Sequence, residues 1–378
     1  MNILYVLNSG NVGGMELHSV ALAAGMVKKG HKVFVWCPEG EISDLFKDRN
    51  VSVTNKKIKF ELDICYIFSL YRFLKQKHIE VLHAHELKAV FNSLIAGFLA
   101  GVKVRISHTH TPISRWKIDG FKRFIDMKIY MLVVNLLSDK EVALTESVLE
   151  QKNKEGIMKT KLIVINNAVD TSDLLFSIKE RDDFRNSTRE KYSIPNDAFV
   201  IGCVGRLTEE KGHELLIRAF KILTKKKIGN EKFFLMIAGG GHLEKDLHNL
   251  TKELSIEDSV IITGVFSDKD KVKMYLSFDL FIFPSLAEGF GLSLTEAMYL
   301  QIPVISSDIE VLKEVGGDTI KYFNSGSAED LAKNMEKLFE EIKTGNEFDL
   351  SNAKLRVESK YSMENFIDNY LNLYNSLL

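Results

Sequence analysis

Short apolar runs recur along this chain, separated by longer stretches with an apolar residue at every third or fourth position. In the first half the runs at 2–8, 32–37, 51–57, 80–85, 102–108, 141–145 and 161–166 read as strands. Stretches 15–29, 64–77, 88–100 and 121–136 between them read as amphipathic helices. The rhythm restarts further on, with strands predicted at 199–205, 233–239, 259–264, 280–285, 302–307 and 319–323. Helices are predicted there at 212–227, 242–254, 268–277, 293–300 and 327–342. Strands regularly separated by helices imply a parallel sheet covered on both faces. The class is therefore α/β, with a doubly wound sheet built twice. Segment 171–197 is polar and irregular, ends in "YSIPNDA", and reads as the linker. A last amphipathic stretch, 363–378, has no strand after it and caps one of the two domains.

Composition changes this picture little. A chain of 378 residues suits two domains rather than one core. No apolar run approaches the roughly 18–20 residues of a membrane span. The opening "MNILYVLNS" lacks a basic leader and reads as a first strand rather than a signal peptide. Cys37, Cys65 and Cys203 form neither a disulfide framework nor a CxxC metal pair, so a reducing cytoplasm is expected. Charge is more informative. Residues 1–167 carry 24 Lys and Arg against 16 Asp and Glu, a balance of +8, and residues 168–378 carry −9. A basic half can face an anionic membrane or acceptor, or its lysines can simply keep it solvated. No nucleic-acid partner is expected.

Candidate chemistry collects where predicted strands end. Gly10, Gly13 and Gly14 follow the first strand and open a helix, without GxGxxG spacing. Such a junction can bring backbone N–H groups to an anion or can simply turn the chain. Arg206 and Lys211 lie on the short loop after strand 199–205, where two cations can converge on one phosphate. The triple glycine of "IAGGGHLEKDL" fits a nucleotide contact or a turn equally. "HAHE" (83–86) and "SHTHTP" (107–112) each put two histidines on one strand face, as metal ligands, sugar contacts or core residues. Finally, "EGFGLSLTE" places Glu288 and Glu296 around a glycine loop that opens a helix. Gly289, Phe290, Gly291 and Leu292 lie between them, and N–H groups at that helix start suit a diphosphate. The two carboxylates would then accept hydrogen bonds from hydroxyls on either side, the layout of a nucleotide sugar.

With these segments in place, the chain resembles the retaining glycosyltransferases of the group 4 family. "EGFGLSLTE" matches their E-x7-E motif, "GRLTEEKGHELLIRAF" their phosphate-binding segment, and "GGMELHSVALAAGMVKKGHKV" their N-terminal glycine loop. The resemblance spans nearly the whole chain. It implies the GT-B arrangement, two Rossmann-like domains facing across a cleft: 1–170 for the acceptor, 171–362 for the nucleotide sugar, and 363–378 as a helix packing back on the first. It assigns Glu288 to the sugar near the reaction centre and Glu296 to the ribose. Arg206 and Lys211 would neutralise the diphosphate, aided by the backbone at Gly13 and Gly14. His110 is the expected active-site histidine, with His108 in reserve. One departure is "NNAVD", where Ala168 replaces a glycine usual in the family. "PISRWKIDGFKRF" (112–124) matches no assigned motif and is the candidate acceptor loop.

The reaction implied is transfer of a hexosyl unit from a UDP-, GDP- or ADP-sugar to a saccharide or lipid-linked acceptor hydroxyl, with retention. The expected setting is bacterial surface polysaccharide or lipid-linked glycan synthesis, in the cytoplasm or peripherally on the inner membrane face. No cofactor and no metal is expected, since the two cations replace the metal of other transferases. A front-side mechanism fits better than a covalent intermediate, because no carboxylate is placed as a far-face nucleophile. The rival readings are a nucleotide-sugar epimerase on a similar fold, a metal-dependent hydrolase using His83, His85, His108 and His110, and a noncatalytic nucleotide-sugar binder.

Overall fold

A computed structural model describes residues 1–116, 119–226, 231–344 and 350–378. The chain forms two compact units, Met1–Ala168 with Met363–Leu378, and Val169–Ser362.

The first unit holds β1 (Asn2–Val6), β2 (Lys32–Cys37), β3 (Ser52–Asn55), β4 (Val81–His85), β5 (Val104–His108), β6 (Lys140–Ala143) and β7 (Leu162–Val164). They form one sheet in the order β3-β2-β1-β4-β5-β6-β7, and every neighbouring pair is parallel. Because successive strand residues face opposite ways, β1 feeds two cores. Ile3, Tyr5 and Leu7 meet Val20, Leu22 and Ala23 of the helix Gly14–Lys28. Leu4 and Val6 meet Leu70 and Leu94 from the helices Ile64–Gln76 and Leu87–Ala100. With both faces covered, the strands are apolar throughout, which is why they stand out in the sequence.

The helix Met363–Leu377 returns to this unit. Phe366, Tyr370, Leu373 and Tyr374 line its inner face and join the core that holds Tyr5. The Tyr374 hydroxyl lies 2.8 Å from Nδ1 of His83 and 3.3 Å from the Tyr5 hydroxyl.

The second unit holds β8 (Phe199–Val204), β9 (Phe233–Ala238), β10 (Val260–Ile262), β11 (Leu280–Phe283), β12 (Val304–Ser307) and β13 (Lys321–Phe323). Its sheet is again wholly parallel, in the order β10-β9-β8-β11-β12-β13. Ile201, Leu235 and Ile282 pack there on Leu216 and Phe220 of the helix His213–Lys225 and Met335 of the helix Ala328–Lys343.

One sequence expectation is corrected. Most of segment 171–197 is not irregular, because Ile178–Lys191 is a helix of the second unit. Its apolar content is too low to show a periodic stripe, and it is fixed by polar contacts instead. Ser177 and Glu180 form a reciprocal capping box. Arg189, fully buried, donates to the carbonyls of Ser277 and Ala198 and to Asp279.

In each sheet the strand order reverses once, between β1 and β4 and between β8 and β11. Loops leaving two such strands depart to opposite faces and open a crevice at their carboxyl ends.

Beside the first crevice lies a buried ion pair. Lys152 and Glu141, both without solvent exposure, are in direct contact. Glu141 also accepts from the Thr109 amide at 3.3 Å and the Tyr130 hydroxyl at 2.8 Å. Removing one partner strands the other charge in the core, so Lys152→Ala should cost about 3–5 kcal/mol. Replacing both, with Lys152→Met and Glu141→Leu, should recover much of that loss. Urea unfolding of the three proteins measures both effects, and a near-neutral Lys152→Ala would show that the pair carries no such penalty.

Candidate active site

The second crevice is built by two loops that touch. β8 runs on into Gly205 and Arg206, and β11 into Pro284 and the glycine loop. Gly212 ends the turn Glu209–Lys211 in the left-handed region, with φ at +69°. A β-carbon there would lie 2.2 Å from the Pro284 carbonyl oxygen, so only glycine lets the two backbones come this close. The Leu286 amide donates to the Glu210 carbonyl at 2.7 Å and closes the seam. The result is that Lys211 Nζ stands 2.5 Å from Glu288 Oε1. Their side chains are 19% and 9% exposed, so the attraction is screened far less than at an open surface.

Glu296 is held separately. It lies on the helix Leu292–Tyr299, whose N-cap is Gly291. The Tyr275 hydroxyl donates to its Oε2 at 2.7 Å, and Lys271 donates to Oε1 at 3.2 Å. Each glutamate of the pair thus has its own lysine, and Lys271 and Tyr275 were not foreseen. Only their tertiary position gives them away, since they lie on the helix Lys271–Leu276 beneath the loop. Phe290 is buried and meets the Tyr361 ring edge-on at 5.1 Å, so its side chain anchors the loop while its backbone remains in it.

Arg206 is exposed, and its carbonyl accepts from His213 Nε2 at 3.0 Å. Burial lowers His213 to about 4, so it is a neutral strut for that loop. The triple glycine is a splice between strands. A β-carbon on Gly239 would lie 2.0 Å from the Gly205 oxygen, and one on Gly241 2.4 Å from the Leu207 oxygen. Of the two readings of that segment, the close turn is the one with contacts, because it braces the Arg206 loop through the Leu207 amide and the Gly240 carbonyl at 3.0 Å.

At the first crevice, Gly13 is the N-cap of the helix Gly14–Lys28, and a β-carbon on it would lie 2.7 Å from Glu16 Oε2. The histidines of β4 and β5 come together. His85 and His108 are register partners. His83 stacks on His85 at 4.4 Å, and His108 on His110 at 4.0 Å. His18, a residue that sequence reasoning passed over, enters from the first helix edge-on to His110 at 4.8 Å. Its sequence signal was a lone imidazole on the buried face of a helix. Burial holds all five rings neutral, with His18 near 4 and the others well below the ordinary histidine value.

Glu86 follows β4 with φ at +69° and ψ at 159°, a region that side chains other than glycine rarely enter. Its Oε2 accepts from the Asn8 amide at 3.2 Å. Burial, together with neighbouring Glu16, raises it from 4.5 to about 7.

Comparisons with known proteins now bear on these two crevices. Residues 12–173 match Glycosyltransferase Family 4, and residues 184–354 match Glycosyl transferases group 1. The chain belongs to the group 4 glycosyltransferases. The capsular polysaccharide biosynthesis glycosyltransferase CapM of Staphylococcus aureus is 27% identical over 77% of this glycosyltransferase and 75% of its own length. A UDP-Gal:alpha-D-GlcNAc-diphosphoundecaprenol alpha-1,3-galactosyltransferase of Escherichia coli is 25% identical over 67% of this chain and 64% of its own. Among solved structures, Anabaena Alr3699/HepE in complex with UDP and glucose superposes with a TM-score of 0.86 over 100% of both chains, at 19% identity. That likeness fixes the fold as GT-B.

The state of Glu86 gives the glycosyltransferase a pH signature. As pH rises past 4.5 the unfolded chain releases this proton, while the folded protein keeps it until about 7. Stability present below pH 4.5 is therefore lost between the two values, by about 3 kcal/mol at 1.36 kcal/mol per unit. Glu86→Gln should match wild type near pH 4.5 and exceed it in stability at pH 8, in urea unfolding at both. Equal stability at pH 8 would place the Glu86 carboxyl in an ordinary solvated state.

Proposed function

We propose that this glycosyltransferase moves a hexosyl unit from a nucleoside diphosphate sugar, with UDP favoured, to an acceptor hydroxyl with retention of configuration. The observation that carries the reading is the pair of carboxylates around one helix start, Glu288 on Lys211 and Glu296 on Lys271 and Tyr275. Two fixed carboxylates eight residues apart, with N–H groups of the helix Leu292–Tyr299 between them, suit a ligand with hydroxyls at both ends and a diphosphate in the middle. UDP is favoured because the Anabaena protein was solved with UDP and glucose, and the Escherichia coli relative is named for UDP-Gal.

In this reading Arg206 and Lys211 meet charge that develops on the leaving diphosphate, where preorganised cations act most strongly. Lys211 is already oriented by Glu288 and needs little reorganisation. The bond from the anomeric carbon to the phosphate oxygen breaks as the bond to the acceptor oxygen forms on the same face. The acceptor proton passes to the departing phosphate. The resemblance gives Gly13 and Gly14 to the diphosphate and His110 to the donor sugar. A neutral His110 would act there as a hydrogen-bonding group rather than a charge. Surface polysaccharide or lipid-linked glycan assembly, on the cytoplasmic side, is the proposed setting, in keeping with the names of the two relatives.

Steady-state kinetics test the two-ended grip. The sugar end changes most as the bond breaks, so Glu288→Gln should lower kcat with UDP affinity little changed. The ribose does not change, so Glu296→Gln should mainly raise KM for the donor and weaken free UDP. Arg206→Ala should lose roughly 2–4 kcal/mol of transition-state stabilisation. Equal UDP binding and equal kcat losses in both glutamate variants would overturn the assignment.

A lipid-linked acceptor calls for membrane contact, and we place it on the first unit. No helix among the described residues is long and apolar enough to cross a membrane. The helix Gly120–Leu137 instead turns an apolar stripe outward. Phe121, Ile125, Ile129, Leu132 and Leu136, spaced three or four apart, are all exposed, and exposed Lys122 and Lys128 flank them. Such a face suits an anionic leaflet. Lys117 and Ile118, in the candidate acceptor loop, lie outside the described residues. Liposome flotation should recover the protein with anionic vesicles and lose most of it in Phe121→Ser/Leu132→Ser. Equal recovery with neutral vesicles would refute the contact.

A further inference from the structure

The histidines at the carboxyl ends of β4 and β5 converge with His18 on one point. One ring nitrogen from each of His18, His85, His108 and His110 lies within 4.8 Å of the others. His85 Nδ1 and His110 Nε2 are already 3.3 Å apart. A tetrahedral metal site with bonds of about 2.0–2.1 Å separates its ligand nitrogens by roughly 3.4 Å, so small ring movements would complete one. The rings come from three firm elements: the helix Gly14–Lys28, β4, and β5 with the residues just after it.

Two further observations point to a ligand. His85 Nε2 and both nitrogens of His108 are buried without a hydrogen-bond partner. Buried polar atoms are rarely left so, because each forfeits its bond to water. His18 shows the complementary arrangement. Its Nδ1 donates to Asn167 Oδ1 at 3.1 Å, an oxygen that also accepts from the Ala168 amide at 3.0 Å. That leaves the lone pair on Nε2, which accepts from the Tyr370 hydroxyl at 3.3 Å, a bond that a metal ion would take over. A carbonyl that fixes the tautomer, so that the other nitrogen carries the lone pair, is how metal-binding histidines are commonly oriented.

We propose that His18, His85, His108 and His110 form a site for one divalent transition-metal ion of the zinc class, within the first unit. Four neutral imidazoles suit zinc, cobalt or nickel and not the oxygen-seeking magnesium or calcium. The ion takes no part in stabilising the leaving diphosphate. The proposal assigns His110 to the metal in place of the donor-sugar contact that the resemblance implies, and it does not depend on the roles proposed for Arg206, Lys211 and the two glutamates.

The test uses the whole protein, stripped with chelator and titrated with cobalt(II) and then zinc. Wild type should take up one equivalent, show the intense visible absorption of tetrahedral cobalt, lose it to zinc, and melt at higher temperature with metal bound. His108→Phe keeps a flat ring in the stack and removes two orphaned nitrogens, so its apo form should melt no lower than wild type while cobalt binding falls at least tenfold. His85→Gln, a smaller change, should show the same loss and serves if the phenylalanine disturbs packing. His242→Ala removes an exposed histidine beside Glu209 and should bind as wild type does. Absence of the cobalt spectrum in folded wild type, or binding that follows His242 rather than His108 and His85, would overturn the site.

Discussion

A parallel strand cannot join its neighbour by a hairpin, and both sheets of this protein are parallel throughout. Every connection must therefore cross a face and carry a helix with it. Where the crossing direction reverses, the loops part and leave a crevice that no helix covers. The chemistry described above gathers at the two reversals. β8 and β11 bring Lys211 to Glu288, while β1 and β4 set Glu86 and the histidines beside the first glycine loop. The topology decides where polar groups can gather, and the side chains decide what they do there.

Within that frame the two crevices use polarity differently. The second is organised by charge. Its carboxylates are each balanced by a lysine, and its loops are sewn together by backbone hydrogen bonds that demand glycine at 212. Balanced charge of this kind can be redistributed when an anionic ligand enters. The first crevice is organised by neutrality. Five imidazoles are kept uncharged by burial and the Glu86 carboxyl holds its proton up to about pH 7, next to an ion pair, Lys152 with Glu141, in which the attraction of opposite charges offsets their loss of water. That pair also holds the amide of Thr109, and so the loop that carries His110.

Much of this was legible in the sequence. The strands were, because burial on both faces leaves uninterrupted apolar runs, and so were the long helices. Glu288, Glu296, Arg206 and Lys211 were visible because they punctuate strand ends beside glycines. The helices Glu41–Lys47, Glu146–Lys154, Ile178–Lys191, Glu310–Gly316 and Ser351–Lys360 were not. They are short or mostly polar, and caps and tertiary contacts sustain them where periodicity does not. Lys271, Tyr275, His213 and His18 escaped for another reason. Nothing local distinguishes them, and their partners lie on elements that only the folded chain brings near. The triple glycine shows a third limit, since a nucleotide contact and a backbone splice need the same residue.

The return of Met363–Leu377 to the first unit has a consequence for how the protein is made. Tyr374 and His83 are 291 positions apart, and the whole second unit is synthesised between them. During translation the first sheet emerges early, yet one face is only partly covered, by the helix Gly14–Lys28, until residues 363–377 follow. A ribosome that stalls anywhere in the second unit leaves the part of this core that Phe366, Tyr370, Leu373 and Tyr374 cover open to water, a surface of the kind that chaperones and proteases engage. The returning helix thus ties the first core to translation past both sheets, since only then can that core be fully covered.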